Sequence, residues 1–438
     1  MSMYQINSHK APADSLPLLC YNLPMNDTEK EFRGLTTPRF LNYVRVWTTS
    51  DRHNASTPST PGQWDLAKAL VEEIRGIGIS DVTLTDHCYV IARLPASPGK
   101  EGSLPLGFLA HMDTSSDVSG KDVKPILVEN YDGKPIELTG GLKLDPAADA
   151  GLEAHKGKAI IHTDGSTLLG ADDKAGIAVI MGAAEYLMTH PEITHGPLEL
   201  IFTPDEETGK GLPEFPLKDI QAKVCYTVDG GSIGELEWEC FNAWAAEVKF
   251  TGISRHLGAA RGAMVNAALM ASVYAAMLPR NESPEATDGY YGYYCPIKIE
   301  GDIETALLEI FIRDFDKSKG EQRLAALEAF ARAVEAQFHG GKVEVRAKAQ
   351  YLNMKEKINE RPEVVETLRR AFVNTGVEIN EKPIRGGTDG SRLTEMGIPT
   401  PNIFTGGRNA HSRLEWLSVP EMATACRLLV ELTRLLAE

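Results

Sequence analysis

The sequence has little positive charge, no closely spaced cysteines and no long run of apolar residues. Its 45 Lys and Arg face 61 Asp and Glu, which gives a formal net charge of −16. Nucleic acids and anionic membranes bind basic surfaces, so we expect neither to be a partner. No apolar run reaches the roughly 20 residues of a membrane-spanning helix. The N-terminus also lacks the basic start and apolar core of a signal peptide.

The six cysteines stand at positions 20, 88, 225, 240, 295 and 426, without any close pair. Disulfide-rich domains and thiolate zinc sites both need closely spaced cysteines, so the pattern favours neither. Free thiols in a reducing compartment are the simplest interpretation. We therefore expect a cytoplasmic protein.

The 438 residues are too many for one ordinary core, and 42% apolar with 24% charged residues is typical of soluble globular domains. Residues 1–30 are polar and weakly periodic, which predicts a loosely attached N-terminal arm. Short apolar runs then alternate with longer helical ones, which predicts an α/β fold. Buried strands are expected at 104–110, 196–204 and 222–229, and a helix from Ala175.

The pattern changes near residue 240 and returns near residue 353. Between them, the order strand, helix, strand, strand, helix, strand predicts a small α+β layer at 241–352. The larger α/β domain is therefore expected to be discontinuous, with residues 31–240 and 353–438.

Five turns that bear acids or histidine follow predicted strands. They are AHMDTS (His111 and Asp113), GADDKAG (Asp172 and Asp173), TPDEETGKG (Asp205, Glu206 and Glu207), TVDGG (Asp229) and GRNAHSRLEW (His411). Each alone has a plain structural explanation, such as capping of a helix. Open α/β sheets, however, place ligands at their strand ends. Five such turns in one chain therefore favour a shared metal centre.

Histidine and carboxylate together form the ligand set of catalytic zinc, and two such ions about 3.5–4 Å apart can share one water molecule. Side chains two residues apart on a strand point the same way, so Asp113 can accept the second imidazole N–H of His111. The adjacent Glu206 and Glu207 cannot easily both coordinate metal. One ligand and one general base for attack on an amide carbonyl is the arrangement we expect.

Taken in order, AHMDTS, LLGADDKAG, TPDEETGKG, TVDGG, IRGGTDGS and FTGGRNAHS resemble the motif series of the peptidase T family. This family of tripeptide aminopeptidases belongs to the dinuclear-zinc superfamily of aminopeptidases, carboxypeptidases and deacylases. The resemblance runs from about residue 30 to the end. It implies a catalytic domain with a mixed sheet flanked by helices, and an inserted lid that this superfamily uses for substrate binding and often for dimerisation. Short peptides are the implied substrates.

The resemblance also implies two Zn²⁺ ions per subunit, for which Co²⁺ or Mn²⁺ could substitute. His111 and Asp229 would hold one ion, and Glu207 and His411 the other. Asp172 would bridge the two ions.

The remaining site residues follow from the same resemblance. Asp113 would orient its histidine, and Glu206 would act as general base and then as acid for the leaving amine. In the lid, His256 matches a histidine that stabilises the developing oxyanion. Arg313 matches an arginine that binds the terminal carboxylate of the peptide. Arg385, with the glycines of RGGTDGS, is expected to shape the floor of the pocket.

Two local details qualify these assignments. The family usually has proline after the lid histidine, whereas this chain has Leu257, so no proline ring fixes the backbone after His256. The superfamily has a cis peptide after its bridging aspartate, so a cis bond is expected between Asp172 and Asp173. Asp173 would then lie at the start of the helix, where negative charge is favoured.

Other functions remain as alternatives. A dipeptidase or an N-acyl amino acid deacylase of the same superfamily would use the same metal centre. GGSIG at 230–234 matches the G-x-S-x-G nucleophile elbow, but the alternating ELEWEC that follows predicts a strand where the elbow needs a helix. A noncatalytic binding protein would have lost a ligand or Glu206, and none is lost.

Overall fold

The computed structural model describes residues 27–438, which fold into helices and strands of the following bounds. The helices are α1 (Asp27–Tyr43), α2 (Gly62–Gly76), α3 (Ala150–Glu153), α4 (Ala171–Thr189), α5 (Ala267–Met277), α6 (Lys317–Gln337), α7 (Lys355–Asn359), α8 (Glu363–Asn374), α9 (Asp389–Glu395) and α10 (Val419–Leu436). The strands are β1 (Asp81–Leu84), β2 (Val90–Leu94), β3 (Leu106–His111), β4 (Ile126–Val128), β5 (Ile136–Glu137), β6 (Lys143–Leu144), β7 (Ile160–His162), β8 (Leu198–Thr203), β9 (Val224–Gly230), β10 (Glu235–Glu237), β11 (Asn242–Thr251), β12 (Tyr293–Gly301), β13 (Thr305–Asp314), β14 (Lys342–Tyr351), β15 (Asn380–Glu381), β16 (Asn402–Phe404), β17 (Gly407–Arg408) and β18 (Trp416–Ser418).

An eight-stranded mixed sheet forms the centre of the larger domain, in the order β1-β2-β8-β3-β9-β16-β10-β15. Strands β8, β3, β9 and β16 run parallel to one another. Every residue of β3 and β8 is buried, as expected for parallel strands covered on both faces. The predicted α/β class and its three buried strands are confirmed. Because the parallel strands end at one edge, the turns that follow β3, β8 and β9 converge there.

The inserted α+β layer is also confirmed. Strands β11 to β14 form an antiparallel sheet in the order β12-β13-β11-β14, and α5 and α6 pack on it. Their apolar side chains, among them Trp244, Val248 and Phe250, form a core separate from that of the larger domain. Since β11 begins at Asn242 and β14 ends at Tyr351, we keep 241–352 as the proposed bounds of this lid, with 31–240 and 353–438 as the proposed catalytic domain.

A smaller sheet, in the order β17-β18-β7-β4, lies beside the helix α4 and carries the His411 loop between β17 and β18. The predicted N-terminal arm lies mostly outside the described residues, and its last residues belong to α1, which begins at Asp27. Within residues 27–438, no helix combines the length and the hydrophobicity that crossing a membrane requires.

Candidate metal centre and active site

The first half of the site forms where β3, β9 and the start of α4 meet. His111 ends β3 and is buried. Its Nε2 lies 2.9 Å from Asp172 Oδ1 and 3.7 Å from Asp229 Oδ1. Asp172 comes from the first turn of α4, and Asp229 from the end of β9. One imidazole nitrogen therefore faces two carboxylates from two other elements.

The second half forms between the turn after β8 and the loop after β17. His411 Nε2 lies 2.9 Å from Glu207 Oε1 and 3.3 Å from Asp172 Oδ2. Asp172 thus directs one carboxylate oxygen to His111 and the other to His411. The two sets of histidine and carboxylate share this aspartate.

The peptide between Asp172 and Asp173 is cis, as expected. Neither residue has helical backbone angles, so the regular part of α4 begins after them. The buried Asp173 carboxylate accepts hydrogen bonds from the backbone N–H of Gly176 at 3.1 Å and of His111 at 3.2 Å. Asp173 therefore caps the helix and ties it to β3, while Asp172 faces the histidines.

Gly176 allows α4 to approach β9. A Cβ at this position would lie 1.9 Å from the carbonyl oxygen of Val228 and 2.5 Å from Asp173 Oδ1. Only hydrogen fits between the helix and the strand here. The contact holds the capping aspartate beside the strand residue that precedes Asp229.

The turn after β8 is fixed by two buried aspartates. Asp205 adopts left-handed backbone angles, and its carboxylate accepts hydrogen bonds from Ser59 N and Gln63 Nε2, each at 2.7 Å. Asp113 accepts hydrogen bonds from the backbone N–H of Glu206 at 3.0 Å and of Glu207 at 3.2 Å. Together they set the direction in which the two glutamates leave the turn.

Asp113 also contacts the first histidine. His111 Nδ1 lies 3.1 Å from the carbonyl oxygen of Asp113 and 3.3 Å from its Oδ1. β3 has already ended at His111, so this contact arises from the loop and not from the continued strand on which the prediction relied. The aspartate reaches the imidazole all the same, and it links His111 to the glutamate turn.

The two glutamates differ in their surroundings. Glu207 Oε1 is buried and accepts no hydrogen bond within residues 27–438, although His411 Nε2 is 2.9 Å away. The Glu206 carboxylate takes part in no hydrogen bond or ion pair in the described part of the chain. Burial raises the pKa of Glu206 well above its usual range and that of Glu207 to about 7. Among residues 27–438, neither carboxylate is paired with a Lys or Arg side chain.

Charge in the cluster is poorly balanced by the protein alone. Burial, then the neighbouring Asp173 and Asp172, raises the pKa of Asp229 well above its usual range. Burial opposes ionisation of Asp172 as well, but hydrogen bonds with His111 and His411 outweigh it and lower its pKa. Asp172 and Glu207 raise the pKa of His411 to about 11. A divalent cation bound here would relieve the repulsion among these carboxylates.

The donor set therefore suits metal ions. Ligand atoms of His111, Asp172 and Glu207 all lie within 4.8 Å of one another, and so do those of His111, Asp173 and Asp229. Histidine nitrogen with carboxylate oxygen is the set that catalytic zinc prefers. In the second group Asp173 is occupied by backbone N–H groups, so Asp172 is the better ligand.

The residues predicted in the lid have different surroundings. His256 is exposed, and its Nδ1 accepts a hydrogen bond from Gly258 N at 3.2 Å, which is the contact of a local turn. Arg313 lies on β13, an interior strand, and is 8% exposed. Its Nη1 donates to the carbonyl oxygens of Trp244 at 3.1 Å and Ile312 at 2.9 Å. Among residues 27–438 it has no carboxylate partner.

Arg385 links the two domains. Its guanidinium donates to the carbonyl oxygens of Thr287, Gly289 and Tyr291, in the lid loop before β12. This arginine, predicted to shape the floor of the pocket, holds a lid loop in the structure. The expected close approach of the backbone at the glycines of RGGTDGS has clearer support, because a Cβ at Gly387 would lie 2.7 Å from the ring of Tyr351.

Two carboxylates near the site were not predicted from the sequence. Glu415 is buried and accepts hydrogen bonds from the backbone N–H of Leu169, Gly170 and Asp172 at 2.7, 2.7 and 3.1 Å. It therefore braces the turn that presents Asp172. Asp117 Oδ2 lies 3.1 Å from His411 Nδ1. The only sequence signal for either residue was its position a few residues from a predicted ligand.

The G-x-S-x-G alternative lacks its required context. Its serine, Ser232, lies in the turn between β9 and β10, and the chain continues as a strand. The nucleophile elbow places serine between a strand and a helix. A serine hydrolase site is therefore not formed at this position.

A mixed sheet whose carboxyl edge gathers two histidines and several carboxylates around one shared aspartate defines a class of protein, the metal-dependent hydrolases. Comparison with known proteins specifies the class further. The profile of Peptidase family M20/M25/M40 matches residues 164–435. Peptidase T of Clostridium perfringens (strain SM101 / Type A) is 48% identical over 401 residues, 91% of this chain and 98% of that protein. Peptidase T of Geobacillus sp. (strain WCH70) is 47% identical over 399 residues, 91% of this chain and 97% of that protein.

The chain belongs to Peptidase family M20/M25/M40, and it is a hydrolase. Solved structures agree on the fold. Aminopeptidase PepT from Bacillus cereus ATCC 10987 superposes with a TM-score of 0.73 at 23% identity, over 93% of this chain and 99% of that one. The YXEP protein of Bacillus subtilis, described as a dinuclear metal binding peptidase of the M20 family, superposes with a TM-score of 0.63 at 14% identity, over 92% of this chain and 98% of that one.

Proposed function

We propose that the protein is a tripeptide aminopeptidase that removes the N-terminal residue of its substrate at a centre of two divalent metal ions. The activity is supported by the similarity to the two Peptidase T relatives over nine-tenths of the chain. The single observation that supports the centre is Asp172, whose two carboxylate oxygens face different histidines. That geometry suits a bridging ligand.

In this proposal His111 and Asp229 would hold one ion, Glu207 and His411 would hold the other, and Asp172 would be the shared ligand. Two Zn²⁺ ions fit the donor set, and Co²⁺ or Mn²⁺ could replace them. When bound, the ions supply Lewis acidity that activates water and polarises the amide carbonyl.

Glu206 is the proposed general base. Its carboxylate leaves the turn beside the ligand Glu207 but is engaged by no other side chain among residues 27–438. It can therefore take the proton of the attacking water and return it to the nitrogen of the leaving amine. Asp113 holds the backbone of both glutamates, and it faces the Nδ1 of His111 so that Nε2 is directed to the cluster.

Arg313 is the proposed binding group for the peptide's terminal carboxylate. It is nearly buried, and its observed hydrogen bonds go only to carbonyl oxygens, so its charge lacks a carboxylate partner in the described part of the chain. Guanidinium groups bind carboxylates with two parallel hydrogen bonds. Two extended residues beyond the cleaved bond span about 7 Å, so a fixed arginine would select substrate length.

His256 and Arg385 are assigned more limited roles. We retain His256 as the candidate that stabilises the oxyanion, although in this structure it caps its own turn, so the assignment requires the lid loop to move. Arg385 would act by holding the lid loop at 287–291 in place. A homodimer formed through the lid is also proposed, and a cytoplasmic location suits the five free cysteines of the described chain.

The decisive experiment is a length series of free peptides, from dipeptides to pentapeptides, assayed with the metal-loaded protein beside N-acetylated amino acids. The proposal predicts the highest kcat/KM for tripeptides and release of the N-terminal residue. Faster hydrolysis of dipeptides would instead support a dipeptidase, and faster hydrolysis of acetylated amino acids would support an N-acyl amino acid deacylase. A chelator should abolish turnover, whereas a serine-directed phosphonate should leave it unchanged.

A further inference from the structure

Two carboxylates in the loop after β3 contact the two histidines of the centre. Asp113 lies beside Nδ1 of His111, and Asp117, four residues later, beside Nδ1 of His411. In both histidines the other nitrogen, Nε2, faces the carboxylate cluster. The loop therefore places a carboxylate beside Nδ1 of the histidine in each half of the centre.

We propose that Asp117 is a positioning residue that orients His411 toward the metal centre. The inference rests on the proposed two-metal function. An imidazole that binds metal through Nε2 must carry its proton on Nδ1, and a carboxylate that accepts this proton fixes both the tautomer and the angle of the ring. Asp117 Oδ2, at 3.1 Å from Nδ1, is placed to accept it.

His411 needs such a partner because its backbone position leaves the ring weakly constrained. It lies in the loop between β17 and β18, with a φ of 60°, and its side chain is 40% exposed. His111, by contrast, ends a buried strand and is 2% exposed. Packing fixes the ring of His111, whereas the ring of His411 depends more on its hydrogen bond.

Asp117 is itself held from two sides. Its backbone N–H donates to Ser115 Oγ at 3.2 Å, which closes a tight turn of the loop. Arg52 Nη2 lies 3.6 Å from Asp117 Oδ1, whereas the histidine contacts the other carboxylate oxygen, Oδ2. Both side chains of this ion pair are about half exposed, so we expect the arginine to contribute much less than the aspartate.

The test measures metal binding by isothermal titration calorimetry in wild-type protein and in Asp117→Ala. We expect the affinity for one of the two ions to fall about 10- to 100-fold, while that for the other is unchanged. Asp117→Asn should lose less, since its amide oxygen can still accept from Nδ1. In Co²⁺-loaded protein, the visible absorption of one ion should change and that of the other should not.

Asp122→Asn is the matched control, because it removes one negative charge from an exposed position of the same loop. It should leave both affinities unchanged. Equal loss at both ions in Asp117→Ala, no loss at either, or the same loss in Asp122→Asn would overturn the inference. If wild-type protein binds fewer than two ions, the proposed function fails as well. If it binds two and Asp117→Ala binds them equally well, only the positioning role fails.

Discussion

Replacement of Gly176 by alanine tests the packing that holds the site together. In an exposed helix this substitution stabilises a protein by about 1 kcal/mol, because alanine restricts the unfolded chain. At Gly176, however, the new Cβ would meet the Val228 carbonyl oxygen at 1.9 Å and the Asp173 carboxylate at 2.5 Å. The first contact is backbone, so α4 and β9 must move apart.

Overpacking of a buried contact costs about 1–3 kcal/mol, and a clash with backbone belongs at the upper end of this range. The cost of this clash should outweigh the gain in helix propensity and leave Gly176→Ala less stable than wild type by roughly 2 kcal/mol. Because the shift displaces Asp173 and the strand that carries Asp229, metal affinity should fall with stability. Urea denaturation measures the first effect and calorimetry the second.

Gly34→Ala is the control, since Gly34 is an exposed residue in α1, and no atom of the described residues lies within 4 Å of the added Cβ. It should be stabilised by up to about 1 kcal/mol, with metal binding unchanged. The reasoning is refuted if Gly176→Ala proves as stable as wild type and binds metal with the same affinity.

Four further substitutions test separate parts of the account. Glu206→Gln should retain both metal ions and lose about 10²- to 10⁴-fold in kcat, whereas Glu207→Gln should lose one ion; equal metal loss in both would contradict their separate roles. Arg313→Met should lower kcat/KM for free tripeptides by about 10- to 100-fold and barely affect C-terminally amidated ones; equal loss on both substrates would remove the arginine from carboxylate binding. Burial, with a smaller effect of Glu235, raises the pKa of Glu237 from 4.5 to about 7. The folded protein therefore holds a proton that the unfolded chain releases, and stability falls as pH rises between these values. Glu237→Gln keeps an acceptor for Asn402, so it should remove this loss of stability with rising pH. In urea denaturation the variant should be more stable than wild type by up to about 3 kcal/mol at pH 8, but not at pH 4. A difference in stability that does not depend on pH would count against the assignment.

The sequence predicted the strands and turns that carry the site because each of them is a local signal. A buried run followed by an acidic turn marks β3, β8 and β9, and parallel strands bring their ends together. The pairing of His411 with Glu207 has no such local signal, since some 200 residues separate them in the chain. Only the family resemblance suggested it.

The supporting carboxylates were not predictable from local pattern. Glu415 binds backbone N–H groups 243 to 246 residues away in the chain, and the hydrogen bond from Gln63 to Asp205 spans 142 residues. An acid in a loop looks the same in sequence whether it faces solvent or braces a turn. Tertiary structure alone decides between the two.

One lid strand was also not located by the sequence pattern. β12 is mostly exposed, contains Pro296, and has an irregular register opposite β13 between Pro296 and Lys298. An edge strand of this kind shows no alternation of apolar and polar residues, because only one end of it is buried. The order of elements implied a strand, but the residues did not mark its position.

The central claim is that Asp172 joins two metal ions, and anomalous diffraction from zinc-loaded crystals tests it most directly. The account predicts two peaks about 3.5–4 Å apart, with the carboxylate of Asp172 between them. His111 and Asp229 should lie at one peak, and Glu207 and His411 at the other. A single peak, or two peaks that Asp172 does not join, would contradict it.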